Sequence, residues 1–389
     1  MAEEKKERSK KDLLSSLIYQ MDKTLGKGEV IFGGNLPSVP RIASTGSYKL
    51  DAILNGGPEG AIPKGKIIEI YGPNGSFKTS LALTMAAQVQ KTGKMVAIAD
   101  SEMSLSREYL QNLGVNPDEV ILLQSNDAGE VFNFIEIAAK SPLVGLIIQD
   151  SVSSLLTKAM IEADYSDYTV GQLSRFLSSG VAKINGIVAD SDCSLIFINQ
   201  IRQKIGVMYG DPTTTSGGLA IGFYAGLRLQ CNKKLIAGDK TDPGSYELDI
   251  KVIKSKVSRG LQTVSLVFHV GKIDENGNVG KYGIDQDKEL LDLAIQEKVI
   301  IKKDKWALKY GDTLTPGEGE EKATEYFKAL DSYEEIKKLT LEKIFSKVNP
   351  SNEGSFANEV SNLESDINVE EREKASVSAP TDMEEVDLS

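Results

Sequence analysis

A lysine and two hydroxyl residues, Lys78, Thr79 and Ser80, follow a turn of mostly small residues, Gly72-Pro73-Asn74-Gly75-Ser76-Phe77. Backbone N–H groups of such a turn, and of a helix starting after it, can converge on an anion. Lys78 adds a mobile cation and the Thr79 hydroxyl can ligate Mg²⁺. The spacing fits the phosphate-binding pattern G-x-x-x-x-G-K-[ST] with one departure: Phe77 stands where the second glycine belongs, so its side chain needs a compatible φ or room beside the phosphates. Taken alone, these residues also suit a chance strand, turn and helix with one surface lysine. Asp150, closing the apolar run LIIQDS, can hold Mg²⁺ or its water shell; a helix cap is the plain alternative. Glu102 can take a proton from a water attacking a γ-phosphate, or is an ordinary loop carboxylate. Tyr109 can stack on adenine or fill the core. Gln200, ending the run FINQ, offers an amide able to sense a γ-phosphate.

A second centre begins there. In residues 201–218, Arg202 and Lys204 supply charge, and Ile205, Val207, Met208 and Tyr209 are apolar in a stretch with too much Gly, Thr and Pro to form a regular element. Hydroxyls and backbone N–H groups of Thr213, Thr214, Thr215 and the residues up to 218 can bind phosphodiester oxygens, while the apolar side chains wedge between bases. The competing reading is a long loop of no consequence.

The phosphate-binding turn needs a strand before it and a helix after it. Ile67, Ile68, Ile70 and Tyr71 make a strand buried on both faces, and LALTMAAQVQKTG makes a helix ending at Gly93. Further strands are expected over 96–100, 120–124, 146–151, 194–200, 226–231, 246–256 and 262–270, with helices over 106–114, 129–140 and 172–187. Strands alternating with helices predict a parallel sheet covered on both faces, with ligands at the carboxyl ends of its strands. The polar clusters named above all fall at such ends. Ahead of this core, residues 1 to about 11 read as a solvated leader. Leu13, Leu14, Leu17, Ile18 and Met21 recur at helical spacing over 11–25, before a linker rich in Gly and Pro. That helix either folds back or packs on another subunit.

The chain has 389 residues, 40% hydrophobic and 26% charged, enough for one large domain with smaller attachments. No apolar run approaches the roughly 18 residues of a membrane span, and the mixed-charge start lacks the apolar centre of a signal peptide, so a cytoplasmic setting is expected. Cys193 and Cys231 lie in apolar strand-like runs, as buried thiols do. The net charge of −11 is uneven: residues 351–389 carry 11 acidic and 2 basic residues, leaving 45 acids and 43 bases in the first 350 residues. The body is nearly neutral, and its acidic pI says little about whether it meets nucleic acid.

From about Leu13 to Tyr310 the chain resembles the RecA family of bacterial and phage homologous-recombination ATPases. The resemblance lies in STGSYKLD, IPKGKIIEIYGP, ADSEMSLSREYLQNLGV, DSVSSLLTKAMIEADYSDYTVGQLSR, FYAGLRL, KVIKSKV and, most distinctively, IFINQIRQKIGVMYGDPTTTSGG. It implies an α/β fold: a RecA-like P-loop NTPase core with a mainly parallel central sheet flanked by helices, an N-terminal polymerisation helix and a small C-terminal domain. The divisions expected are a leader, helix and linker over 1–40, the core over 41–271, the small domain over 272–350 and a disordered acidic tail over 351–389. The resemblance also implies ATP and Mg²⁺ as cofactors, with ATP held between adjacent subunits of a right-handed filament on single-stranded DNA.

Residue by residue, Gly72, Pro73, Asn74, Gly75, Ser76, Phe77, Lys78, Thr79 and Ser80 would bind the phosphates, Thr79 and Asp150 the Mg²⁺, and Tyr109 the adenine. Glu102 would be the catalytic base and Gln200 the γ-phosphate sensor. Lys254 and Lys256 would reach a neighbour's ATP, although alone they read as solvent-facing strand lysines. DNA would meet a first loop over 162–171 (Val170, Gly171, with Arg175 and Ser178 behind) and a second over 202–218 (Arg202, Ile205, Gly206, Met208, Thr213, Thr214, Thr215, Gly217, Gly218). Phe223 would lie at the subunit interface. Departures are Phe77, Asn74 where the family has Glu, and Leu219 and Gly222 at the second loop's exit. Ala182 stands for an Arg near the first DNA loop, and Asp249 for a basic residue beside Lys233 and Lys251 in a second DNA site.

The function expected is a DNA-dependent ATPase that forms a helical filament on single strands and catalyses pairing and strand exchange with homologous duplex in recombination and repair. Its partners would be those two DNA forms and copies of itself, with no membrane; the acidic tail either docks a single-strand-binding protein, competes with DNA for the basic loops, or only solubilises the chain. The setting would be the cytoplasm of a bacterium or a phage-infected host. The alternatives are a ring-forming RecA-fold helicase and a filament protein that has lost hydrolysis.

Overall fold

The computed structural model describes residues 2–25, 38–57, 60–164, 171–203, 213–236, 244–271 and 280–348. Residues 1–40 and 41–389 are separate compact units. The first contains helix α1 (Ala2–Leu25), which starts at Ala2 rather than near residue 11, since the charged residues ahead of the apolar stripe are themselves good helix formers.

The second unit is built on a ten-stranded sheet. In chain order come α2 (Tyr48–Ile53), β1 (Ile67–Gly72), α3 (Lys78–Gln90), β2 (Met95–Asp100), α4 (Arg107–Asn112), β3 (Val120–Leu123), α5 (Ala128–Ala139) and β4 (Val144–Asp150). Then follow α6 (Lys158–Ile161), α7 (Gln172–Ala189), β5 (Ser194–Gln203), β6 (Thr213–Thr215), α8 (Ala220–Tyr224), β7 (Leu227–Leu235), β8 (Ser245–Ser255), β9 (Thr263–Val270) and β10 (Tyr282–Ile284). The spatial order is β10-β9-β8-β7-β1-β5-β4-β2-β3, with β6 paired to β5.

Strands β7, β1, β5, β4, β2 and β3 run parallel, as expected of strands joined through helices. The rest of the sheet does not. β7, β8, β9 and β10 form an antiparallel run, because the connection between β8 and β9 is too short for a crossover helix. β6 is a second departure. Arg202 pairs with Thr214 and Ile201 with Thr215, so the ends of the stretch read as irregular are strand, and three consecutive β-branched threonines suit that pairing.

Alternate residues of the parallel strands feed two cores. Ile68, Ile70, Ile196 and Ile198 join Leu81, Met85 and Val89 of α3 on one face. Ile67, Leu195 and Phe197 meet Val131 and Ile135 of α5 and Leu177 and Val181 of α7 on the other. Each side chain at roughly 25 cal/mol per Å² of apolar surface buried contributes to fixing the register, since a one-residue slip would exchange the two faces. Cys193 and Cys231 are buried free thiols. Beyond the sheet, α9 (Gln286–Gln296), a small sheet of β11 (Ile301–Lys302), β12 (Leu308–Tyr310) and β13 (Thr313–Leu314), and helices α10 (Glu320–Lys328) and α11 (Tyr333–Val348) complete the unit. Leu290, Leu291, Phe327 and Ile336 make a third core there. No helix among the described residues is long and apolar enough to cross a membrane.

Candidate active site

The carboxyl ends of the central strands lie in register: Gly72 pairs with Gln200 and Asp100 with Asp150. Gly72 opens the phosphate loop, and any Cβ there would stand 2.2 Å from the Cys231 carbonyl oxygen. Gly75 (φ +67°) and Phe77 (φ 57°) are both left-handed, the alternation that turns successive N–H groups toward one point. Ser76 Oγ and Lys78 Nζ each donate to the Pro73 carbonyl at 2.8 Å. Lys78 is only 8% exposed, and burial lowers its pKa.

Thr79 Oγ1 donates to Asp150 Oδ2 at 2.6 Å, which unites a hydroxyl and a carboxylate from opposite sides of β5. Burial, reinforced by the charges of Glu102 and Asp100 and opposed by the Thr79 hydrogen bond, raises the Asp150 pKa to about 6. Nearby Asp100 Oδ1 is buried with no hydrogen-bond partner among the described residues. An all-oxygen donor pair in a locality with surplus negative charge fits Mg²⁺. Thr79 and Asp150 are the residues that would hold it.

Glu102 Oε1 accepts from Ser151 Oγ at 2.5 Å and from Gln200 Nε2 at 3.4 Å. The candidate base and the candidate sensor are therefore hydrogen-bonded neighbours. Tyr109 OH and Ser80 Oγ are 2.8 Å apart, and the Tyr109 ring stands edge-on to Tyr282 at 6.3 Å. Loop residues 74–80 with Glu102, Tyr109, Asp150 and Gln200 enclose a cavity of about 430 Å³ that Ser151, Lys233 and Tyr246 also line. A nucleotide-sized ligand suits that volume.

Three residues take places in or beneath this site that the sequence reading did not give them. Ser151 directly follows Asp150 and was hidden by it. Lys233, expected by resemblance in a second DNA site, lines this cavity. Glu69, inside an apolar strand, is fully buried, accepting from Arg228 Nε at 2.6 Å and Asn199 Nδ2 at 3.0 Å. A lone carboxylate among isoleucines, with Arg228 opposite it in register, was the available signal.

The DNA candidates gather beside α7. Gly171 (φ +78°) precedes that helix, and Arg175 and Ser178 are exposed on it. A Cβ on Gly217 would lie 2.2 Å from Leu177 Cδ1, and one on Gly218 would lie 3.3 Å from Ser174 Oγ, so the second loop's exit rests directly on α7. Arg202 Nε donates to Ser216 Oγ at 3.1 Å, and Asn199 Nδ2 donates to the Ser216 carbonyl at 3.1 Å. Val170, Lys204, Ile205, Gly206, Val207, Met208 and Tyr209 lie outside the described residues.

Lys254 and Lys256 do not line the cavity. Lys254 Nζ donates to the carbonyls of Gly222 (2.9 Å) and Phe223 (2.7 Å) at the end of α8, leaving Phe223 73% exposed. Asp249 is engaged by Lys234 Nζ at 2.5 Å and by Ser265 Oγ at 2.5 Å, while Lys251 is exposed.

Residues 12–273 match the family model described as the RecA N-terminal domain. Protein RecA of Salinispora arenicola is 35% identical over 333 residues, 85% of this chain and 91% of that protein. Protein RecA of Geobacter sulfurreducens is 36% identical over 313 residues, 80% and 88% of the two chains. Protein RecA of Marinobacter nauticus is 35% identical over 344 residues, 88% and 94%. Among solved structures, a RadB recombinase aligns at 24% identity with a TM-score of 0.42, covering 60% of this chain and 97% of that one. With the family model matching residues 12–273, more than half of the chain, and relatives about a third identical over most of both chains, the chain belongs to the RecA family.

Proposed function

We propose that the chain is a DNA-dependent ATPase that assembles as a helical filament on single-stranded DNA, pairs it with homologous duplex and exchanges strands in recombination and repair. Membership in the RecA family supports the general part, a nucleotide-binding ATPase of recombination. The observation that carries the specific part is Gln200. Its amide bonds to Glu102 at the nucleotide cavity, and its own strand continues without a break into the ladder that pairs Arg202 with Thr214. A shift of that amide toward a γ-phosphate is thereby transmitted to the base of the second DNA loop along one rigid element.

In this reading the loop amides and Lys78 grip the phosphate chain, and Tyr109 orients the base. Glu102, held by Ser151, accepts the proton of the attacking water. Thr79 and Asp150 would hold Mg²⁺, which would supply neutralisation of phosphate charge. Arg175, Ser178, Arg202 and Thr213–Thr215 hold the DNA backbone from adjacent elements. Residues 41–271 serve as the ATPase core and 272–350 as a small C-terminal domain, with the acidic tail as a docking segment for a single-strand-binding protein. The test is phosphate release from ATP with and without single-stranded oligonucleotide, together with a strand-exchange assay. Stimulated release and joint-molecule formation are expected. Release indifferent to DNA overturns the reading, and DNA binding without any release leaves a filament protein that does not hydrolyse.

A further inference from the structure

Phe77 departs from the phosphate-loop pattern, and its surroundings show what the departure does. Its left-handed backbone (φ 57°) strains a residue with a side chain. The ring is held against Phe268, 4.5 Å between centroids and 24° between planes, and against Tyr246 at 5.4 Å. Tyr246 and Phe268 are register partners across β8 and β9, so the antiparallel half of the sheet supplies a fixed aromatic wall for the loop. Lys233 lies over this wall, its Nζ 4.5 Å from the Tyr246 centroid and 5.4 Å from the Phe77 centroid.

Lys233 is two residues beyond Cys231 on β7, the strand whose backbone approaches Gly72. A Cβ on Gly75 would stand 3.8 Å from Lys233 Nζ, which places the ammonium against the loop backbone. Strand β7 flanks β1 on the side away from β5, whereas Gln200 and Asp150 come from the β5 side. Among the described residues, Lys233 pairs with no carboxylate. The acids nearby, Glu247 and Asp249, engage Lys234 instead. Ring faces hold an ammonium without neutralising it, so its N–H donors remain available to an anion.

We infer that Lys233 is a second phosphate-binding cation of the nucleotide cavity, positioned by the rings of Tyr246 and Phe77, and that Phe77 is a working part of the site. The inference rests on the nucleotide-binding reading above and extends it to a residue otherwise assigned to DNA. A cation there favours the nucleotide with more negative charge, so it sets the preference for ATP over ADP.

The experiment is calorimetric titration of the DNA-free protein with Mg-ATP and with Mg-ADP. For Lys233→Met, which keeps the apolar stem, the Kd for ATP rises about tenfold and that for ADP rises less, the loss of one charge-assisted contact. Lys233→Arg restores the preference, because a guanidinium keeps the charge and stacks on the same rings. Tyr246→Leu gives an intermediate loss. Wild-type protein that binds neither nucleotide would overturn the site itself. Wild-type binding with an unchanged ATP-to-ADP ratio in Lys233→Met, or a loss confined to DNA affinity, overturns the inference and leaves the site standing.

Discussion

To hold Mg²⁺, Asp150 would have to be ionised where its surroundings resist ionisation. Burial lifts its pKa from 3.8 to about 6, so the folded state holds this proton more tightly than the unfolded chain does. The stability this group contributes is complete in acid, below the unfolded pKa, and is lost as pH rises through about 6. A shift of that size corresponds to roughly 3 kcal/mol at neutral pH. In nucleotide-free protein, Asp150→Asn is therefore expected to raise Tm at pH 7.5, with the advantage shrinking as the pH falls from 6 toward 4. Thermal unfolding of both proteins across that range checks it, and an advantage independent of pH would mean that the buried charge is not the cost. At this scale the sequence was informative where one motif fixes several atoms. Lys78, Thr79, Asp150, Glu102, Tyr109 and Gln200 line one cavity. Ser151 and the place of Lys233 were not legible, because each meets partners distant in the chain.

Elements join the cavity to the surface proposed to meet DNA, and one contact fastens that join. Gly217 (φ +79°) lies so close to Leu177 of α7 that a Cβ would approach Leu177 Cδ1 to 2.2 Å and Val152 Cγ1 to 3.2 Å. Leu177 is fully buried, so the loop must move rather than the core. Gly217→Ala is expected to weaken single-strand affinity and DNA-stimulated turnover by about tenfold, a displacement costing on the order of 1–2 kcal/mol. DNA-free nucleotide affinity should stay unchanged. Fluorescence anisotropy with a labelled oligonucleotide, beside nucleotide titration, reads both, and equal losses would assign Gly217 to the fold as a whole. The parallel strands and their helices were legible here, since apolar runs alternating with helical periods admit few arrangements. The antiparallel run from β7 to β10 was not, because the same apolar strands serve either direction and only connection length distinguishes them. The pairing of β5 with β6 was masked by a composition that reads as loop.

At the scale of the whole molecule, two of the lysines expected at the nucleotide are absent from the cavity of their own chain. Lys254 and Lys256 stand away from the cavity, and Lys254 holds the end of α8, whose Phe223 and neighbouring Leu219 are exposed at 73% and 78%. In the filament proposed above, this exposed apolar pair, with Lys254 beside it, sits at a seam with a second copy. If those lysines act on a neighbour's nucleotide, Lys254→Ala/Lys256→Ala subunits fail as donors of charge but keep a sound Glu102. Glu102→Ala subunits fail as hydrolysing sites but keep sound lysines. Each preparation alone is expected to be inactive. Mixed in equal amounts on single-stranded DNA, they should regain up to about a quarter of wild-type turnover, the share of seams at which a sound base meets sound lysines under random assembly. Phosphate release from the mixture measures this, with co-assembly verified by labelling one preparation. Mixed filaments that remain inactive would confine the lysines to their own chain, where Lys254 holds the α8 carbonyls.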